Sequence, residues 1–83
     1  MTPIRWTNAA LVAAAGMTQP EREALLQRLD LVADFPEMNP VRQRGLYVGA
    51  RYFLIRKRWI VFYRPRPADV LILSILPARA RSV

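Results

Sequence analysis

The spacing of the apolar residues changes near Gly45, and this change constrains the fold of the chain more than any other feature. Before this point, Leu25, Leu29 and Val32 recur at the spacing of one helix face. After it, in "RYFLIRKRWIVFYRPRPADVLILSIL" at 51–76, apolar and polar residues follow a period of two. A period near 3.6 indicates a helix and a period of two indicates a strand. The sequence therefore predicts an α+β fold in which helices precede a small sheet.

Capping residues and prolines place two helices. Thr7 or Asn8 can cap a helix through "AALVAAA", because a side-chain oxygen there accepts a hydrogen bond from a free amide of the first turn, and Gly16 suits its end. Thr18 and Glu21 have the spacing of a capping box at the start of a second helix. The two prolines of "FPEMNP" are expected to end that helix just before this segment.

The other periodic segments favour strands. "PIRW" at 3–6 is predicted to form a short first strand, and three more strands are predicted near 50–55, 59–64 and 70–76. The short links between the last three strands favour antiparallel neighbours. The expected order is β-α-α-β-β-β in a single domain, residues 1–83, with both helices on one face of a small and mostly antiparallel sheet.

The last predicted strand, "VLILSIL", has no polar face apart from Ser74. A strand that is apolar on both sides is normally buried on both sides. The two helices can cover only one side, and a chain of 83 residues has too little mass for a second covering layer. We therefore expect a partner to cover part of residues 70–76.

The composition argues against several classes of function. Cysteine and histidine are absent, so the chain can form neither a disulfide framework nor a thiolate or imidazole metal site, and it lacks the commonest general base. We expect no metal and no cofactor. No apolar run approaches the roughly 20 residues of a membrane span. Only Arg5 precedes the apolar run "NAALVAAAGM", which argues against a secretory signal peptide. We predict a cytoplasmic protein without a membrane partner.

Positive charge is concentrated in the second half of the chain. Residues 1–41 carry three basic and five acidic residues, whereas residues 42–83 carry ten basic residues against Asp69 alone. The net charge is +7 at pH 7. This asymmetry predicts a polyanionic ligand or an acidic partner protein, and a solvated basic surface is the plainer alternative.

The chain combines a short strand, two helices, a link containing "FPEM", a strand ending in "VFYR" and a last strand that runs into "ILPARAR". In this order, these pieces resemble the RelE/ParE superfamily, the toxins of bacterial type II toxin–antitoxin operons. The resemblance implies one of two activities. RelE-like members cut messenger RNA on the ribosome, using basic residues and a tyrosine on one sheet face and no metal, whereas ParE-like members poison DNA gyrase and lack those residues. In both, an antitoxin silences the toxin by wrapping it with an extended C-terminal segment.

Alignment on "VFYR" gives two matches to the RelE-like nucleases and three departures. Arg51 falls on a lysine of the nuclease face and Arg79 on the C-terminal catalytic arginine, so these residues and Arg81 are the catalytic candidates if the protein is a nuclease. Phe53 and Ile60 stand where the nucleases place cations, and the sequence ends before the position of their terminal tyrosine. The resemblance therefore favours a ParE-like gyrase inhibitor. The alternatives are a RelE-like nuclease and a degenerate member that binds nucleic acid through its basic surface.

The hairpin between the second and third strands defines the candidate binding residues. With a two-residue turn at Lys57-Arg58, one face has an apolar middle, a basic rim and no proton acceptor at its centre, and it holds Arg51, Phe53, Ile55, Ile60, Phe62 and Arg64. Lys-Arg is poor chemistry for a tight primed turn, which leaves another register open. The residues predicted to bind an acidic antitoxin are Arg51, Phe53, Ile60, Phe62, Leu71, Leu73 and Ile75. Those predicted to bind gyrase, or alternatively the ribosome and its messenger RNA, are Arg56, Lys57, Arg58, Arg64, Arg79 and Arg81.

Plainer interpretations accompany these assignments. The basic residues at 56–58 could simply keep the sheet soluble. The strand aromatics could form a platform that stacks on nucleic-acid bases, or they could be ordinary strand packing; they are Tyr52, Phe53, Trp59, Phe62 and Tyr63. A toxin–antitoxin hetero-oligomer is the expected assembly.

Overall fold

The computed structural model describes residues 2–78. Its elements are β1 (Ile4–Trp6), α1 (Asn8–Ala15), α2 (Gln19–Asp34), β2 (Arg51–Ile55), β3 (Trp59–Pro65) and β4 (Val70–Pro77). The four strands form one sheet in the order β1-β4-β3-β2. In this sheet β1 runs parallel to β4, and the other neighbouring strands are antiparallel. The predicted α+β fold and element order are confirmed, with both helices on one face of the sheet.

The predicted cap of α1 also joins the helix to the sheet. The Thr7 hydroxyl accepts a hydrogen bond from the Ala10 N–H at 3.1 Å and donates one to the Leu73 carbonyl at 2.8 Å. At the other end, the Gly16 N–H donates to the Ala13 carbonyl at 3.1 Å. One side chain therefore satisfies a free amide of the helix and holds α1 against β4.

The start and end of α2 follow the predicted signals. The Thr18 N–H donates to the Glu21 carboxylate at 2.8 Å, and the Glu21 N–H donates to the Thr18 hydroxyl at 3.3 Å, which completes the capping box. The helix ends at Asp34, two residues before Pro36. Neither helix within residues 2–78 combines the length and hydrophobicity that crossing a membrane requires.

The hydrophobic core lies between the helices and one face of the sheet. On α2, Leu25, Leu29 and Val32 are buried as predicted, whereas Leu26 is 56% exposed. The other elements contribute the buried residues Ala10, Met17, Phe53, Ile55, Val61, Tyr63, Val70, Ile72 and Ile75. Burial of one large aliphatic side chain contributes about 1.5–3 kcal/mol, so α2 stabilises the core far more than the alanine-rich α1 does.

The hairpin between β2 and β3 has the three connecting residues that the predicted strand limits imply, and not the two-residue turn from which the sheet face was predicted. Ile55 pairs with Trp59, so three residues connect the strands, and the Arg58 N–H donates to the Ile55 carbonyl at 2.9 Å. Arg56 and Lys57 both have positive φ angles, 53° and 56°. This left-handed conformation costs a residue that has a side chain about 1–2 kcal/mol. The prediction of a two-residue turn at 57–58 is therefore wrong.

This shift decides which side chains share a face of the sheet, because successive residues of a strand point to opposite sides. Arg51, Phe53 and Ile55 lie on the helix side, and not with Ile60 and Phe62 as predicted. The face that points away from the helices, here called the open face, carries Tyr52, Leu54, Ile60, Phe62, Arg64, Leu71, Ser74 and Leu76.

Candidate functional site

The open face consists of three rows of side chains that cross the sheet. The row at the end far from the hairpin carries charge and contains Arg5, Leu71 and Arg64. The middle row contains Ser74, Phe62 and Tyr52. The row beside the hairpin, here called the apolar row, contains Leu76, Ile60 and Leu54. The chemistry of the face therefore changes along the strands, from cationic to aromatic to aliphatic.

The loop at 42–50 covers the middle row. Phe62 is only 2% exposed although it points away from the helices. The Tyr47 ring lies 5.0 Å from the Phe62 ring, centroid to centroid, and the Arg42 guanidinium lies 5.3 Å from the centroid of Phe62. The Gly49 N–H closes the loop by donating to the Arg42 carbonyl at 2.9 Å, and its φ of 90° favours glycine. This cover was not predicted from the sequence. The two glycines that flank Tyr47 were the signal for a tight loop at this place.

The apolar row has no such cover within residues 2–78. Leu54 is 46% exposed, and Ile60 and Leu76 are half-buried. Three aliphatic side chains side by side on a sheet form a flat surface that another chain can bury. In β4, Leu71, Leu73 and Leu76 are all half-buried. That a partner covers part of residues 70–76 stays a prediction.

Tyrosine and arginine side chains surround the buried Phe62. The Tyr52 ring lies 6.3 Å from the Phe62 ring, centroid to centroid. The observed register brings the Tyr52 phenol to the centre of this face, where the predicted register places apolar side chains. Arg64 is exposed in the next row, whereas Arg42 is partly engaged because its Nε donates to the Arg44 carbonyl at 2.9 Å. A phenol can transfer a proton and guanidinium groups can bind phosphate.

Arg51, a predicted catalytic candidate, belongs to a network on the helix side. Its Nη1 donates to the Asn39 carbonyl at 2.6 Å, and the Arg28 guanidinium donates to Asn39 Oδ1 at 3.2 Å. Asn39 Nδ2 donates to the Tyr63 hydroxyl at 3.1 Å, which in turn donates to the Pro36 carbonyl at 2.9 Å. Burial raises the pKa of the Tyr63 phenol. This network anchors the link after α2 to the sheet.

The residues predicted to bind the antitoxin do not form one surface. Phe53 and Ile75 are each 3% exposed and lie in the core beneath the helices, on the same side of the sheet as Arg51. The open face carries Ile60, Phe62 and Leu71. Leu73 lies where the pairing of β3 and β4 shifts register.

The target-binding candidates are divided in the same way. Arg56, Lys57 and Arg58 are exposed at the hairpin, and Arg64 is exposed on the open face. Arg79 and Arg81 lie outside the described residues. The strand aromatics do not form one stacking platform, because Phe53, Trp59 and Tyr63 lie on the helix side and Tyr52 and Phe62 on the open face.

The hairpin is tied to the start of α2 by Glu21. Arg58 Nε lies 3.4 Å from Glu21 Oε2, and the Arg58 guanidinium lies 5.6 Å from the centroid of the Trp59 ring. The Thr18 backbone N–H is the main cause that holds the pKa of the Glu21 carboxyl below its ordinary value, and the positive charge of Arg58 lowers it further. The indole nitrogen of Trp59 is buried and forms no regular hydrogen bond within residues 2–78.

The lowered pKa of Glu21 predicts that the protein loses stability in acid. A carboxyl whose pKa is lower in the folded state stabilises the fold at pH values above its unfolded pKa, and this contribution is lost as the pH falls through the folded pKa. Asp69, whose pKa is lowered mainly by hydrogen bonds from Arg66, acts in the same direction. We expect Glu21→Gln to be less stable than the wild type at pH 7. The difference in free energy of unfolding should shrink below about pH 4.5, the ordinary pKa.

Urea denaturation at a series of pH values measures this difference. A gap between the wild type and Glu21→Gln that stays constant from pH 7 to pH 3 would contradict the prediction, because it would show that the carboxylate charge contributes nothing.

Solved structures that contain RelE or ParDE proteins share this α+β fold. Isolated RelE from E. coli matches with a TM-score of 0.78 and 18% identity, over 94% of this chain and 85% of that chain. RelE in the intact E. coli RelBE toxin–antitoxin complex matches with 0.77 and 18%, over 90% and 94%. The chromosomal ParDE toxin–antitoxin system of P. aeruginosa matches with 0.69 and 16%, over 93% and 96%.

The sequence itself matches the profile of a family described as the ParE toxin of the type II toxin–antitoxin system, parDE, over residues 4–81. The chain therefore belongs to the ParE toxin family, within the RelE/ParE superfamily of type II toxin–antitoxin toxins. No curated protein matches the sequence at a significant level. Among residues 2–78, no three acidic, histidine or cysteine side chains come together as they would to hold a metal ion.

Proposed function

We propose that this toxin inhibits DNA gyrase in the cytoplasm and is neutralised by an acidic antitoxin, one segment of which lies on the open face of the sheet. The observation that carries the proposal is the apolar row. Ile60 occupies a position where, by the resemblance, the nucleases place a cation, and it pairs with the aliphatic Leu54 on β2. An aliphatic row suits a protein segment better than it suits a phosphate.

The apolar row lacks the groups that RNA cleavage requires. Cleavage through the 2′-hydroxyl requires a group that takes its proton and cations that stabilise the developing charge on the phosphate. On β2, Tyr52 and Leu54 face the open side, so no lysine or arginine of this strand can reach a phosphate there. Loss of one preorganised charge of this kind typically costs about 10²–10³ in rate. Membership of the ParE toxin family supports the same choice.

A ribosome-dependent nuclease is the second candidate, and one observation favours it. Tyr52 lies at the middle of the open face with Arg64 in the next row, so a phenol and a guanidinium are present on one surface. In RNA cleavage, the Tyr52 phenol would serve as the proton-transfer group. From the sequence, no such group was expected at the centre of this face.

Two variants discriminate between these functions. Tyr52→Phe removes only a hydroxyl group from the open face, so gyrase inhibition and growth arrest are expected to remain unchanged. If the phenol transfers a proton in RNA cleavage, the same variant should cut messages at least about 10²-fold more slowly. In contrast, replacing Arg79 and Arg81 together by alanine is expected to weaken toxicity, because their planar donors would bind the target, without any change in messenger RNA pattern.

The measurement is expression in cells with two readouts. Supercoiling of a reporter plasmid and induction of the DNA-damage response report on gyrase, and 5′-end mapping of ribosome-bound messages reports on cleavage. Codon-positioned cuts that disappear in Tyr52→Phe or in Arg79→Ala would show that the nuclease is the correct function.

A further inference from the structure

We propose that the tip of the β2–β3 hairpin, residues 56–58, is a contact for the phosphate backbone of double-stranded DNA. The tip consists of Arg56, Lys57 and Arg58, all exposed. This inference goes beyond gyrase inhibition, because the tip would bind DNA whether or not gyrase is the target. Each of the two proposals can therefore fail while the other stands.

The conformation of the turn is the first observation. Arg56 and Lys57 both have positive φ angles, 53° and 56°, and the Arg58 N–H closes the turn on the Ile55 carbonyl at 2.9 Å. Primed turns with two successive left-handed residues strongly prefer Asn-Gly. The chain places two long cations there instead, at a cost in conformational energy. Backbone strain of this kind is characteristic of positions where the side chains have a function.

The charge of the tip is the second observation. Within residues 2–78, the ion pairs join Arg5 and Arg66 to Asp69 and Arg58 to Glu21. None of them involves Arg56 or Lys57, so these two cations are exposed and uncompensated. Such groups attract a polyanion at long range and release its counterions on contact.

The tip borders a shallow depression in the surface. A depression of about 450 Å³ beside it is lined by Lys57, Arg58, Trp59 and Pro77. The Ala78 N–H donates to the Arg58 carbonyl at 2.8 Å, which ties the end of β4 to the tip.

The shape and composition of the tip favour nucleic acid over an acidic protein. Protein interfaces are depleted of charged residues at their centre and enriched in apolar and aromatic groups, whereas this tip presents three consecutive cations. A two-stranded β-ribbon has the width that the major groove of DNA admits. Lysine and arginine are also the commonest partners of phosphate oxygens at such interfaces.

The turn itself provides a sharp test, because the change that should improve the fold should impair binding. The double variant Arg56→Asn with Lys57→Gly installs the residue pair that the turn prefers, so its thermal unfolding midpoint is expected to rise by a few degrees. Its affinity for a labelled 20-base-pair duplex, measured by fluorescence anisotropy, is expected to fall about tenfold or more. The slope of log affinity against log salt should become shallower by about 2, as expected when two phosphate contacts are lost.

The matched control is Arg5→Gln with Arg44→Gln, which removes the same charge from two exposed positions away from the tip. We expect it to reduce affinity by no more than about threefold and to change the salt slope little. Three outcomes would overturn the proposal. They are wild-type protein that does not bind duplex DNA at 50 mM salt, a tip variant that binds as the wild type does, and equal losses in the tip and control variants. If the wild-type protein binds poly-glutamate as tightly as it binds DNA, the partner of the tip is an acidic protein and not DNA.

Discussion

Replacement of Leu25 by alanine is expected to lower the free energy of unfolding by about 3 kcal/mol, within the usual range of about 2–5 kcal/mol for a buried leucine. Leu25 is 1% exposed and lies in the core between α2 and the sheet. A domain of 83 residues has a total stability of roughly 4–12 kcal/mol. A single cavity should therefore remove a large part of the margin that keeps the protein folded.

The next residue along the helix is the control. Leu26 is 56% exposed, so Leu26→Ala should change the free energy of unfolding by no more than about 0.5 kcal/mol. Urea denaturation followed by circular dichroism measures both variants. Equal losses would show that the α2 stripe is assigned to the wrong face and that the helix packs differently.

Ile60→Glu is expected to weaken antitoxin binding by about 100-fold or more, which corresponds to about 2.7 kcal/mol. Ile60 is the central member of the apolar row, with Leu54 and Leu76 on either side. A carboxylate there would have to be desolvated against aliphatic groups, and it would also repel an acidic partner. The same change should make the free toxin less prone to associate with itself, because it interrupts the apolar surface.

Binding to the cognate antitoxin by titration calorimetry, together with sedimentation velocity of the free toxin, tests both expectations. Leu26→Glu is the matched control, since it places the same charge on an exposed leucine of α2. Circular dichroism shows whether the half-buried position tolerates glutamate. Wild-type affinity in a folded Ile60→Glu variant would place the antitoxin elsewhere on the molecule.

The elements that local chemistry specifies were predicted closely from the sequence. The capping box of Thr18 and Glu21 and the proline after Phe35 bound α2, and each signal acts within a few residues of itself. The buried stripe of Leu25, Leu29 and Val32 follows from helical periodicity alone. Predictions of this kind succeed because the interactions that determine these features join residues only a few positions apart in the sequence.

The composition of the open face was not predicted, because it depends on one residue of register. A hairpin with two or three loop residues has the same apolar pattern, and the choice between them moved Tyr52 and Leu54 onto the face in place of Arg51 and Phe53. Turn chemistry usually resolves this choice, but Arg56-Lys57 is an uncommon pair for a primed turn. A functional constraint on these side chains would explain why the local rule failed here.

The parallel pairing of β1 with β4 has a consequence for the timing of folding. Ile4 lies opposite Val70, and the Val70 N–H donates to the Pro3 carbonyl at 2.9 Å. β4 lies between β1 and β3 in the sheet, and it is synthesised after every other described element. During translation, the nascent chain can form its helical hairpin but cannot complete the sheet until β4 has left the ribosome. The open face is therefore incomplete in the growing polypeptide, because β4 supplies Leu71, Ser74 and Leu76. An antitoxin that needs the whole face can bind the toxin only after β4 has been synthesised.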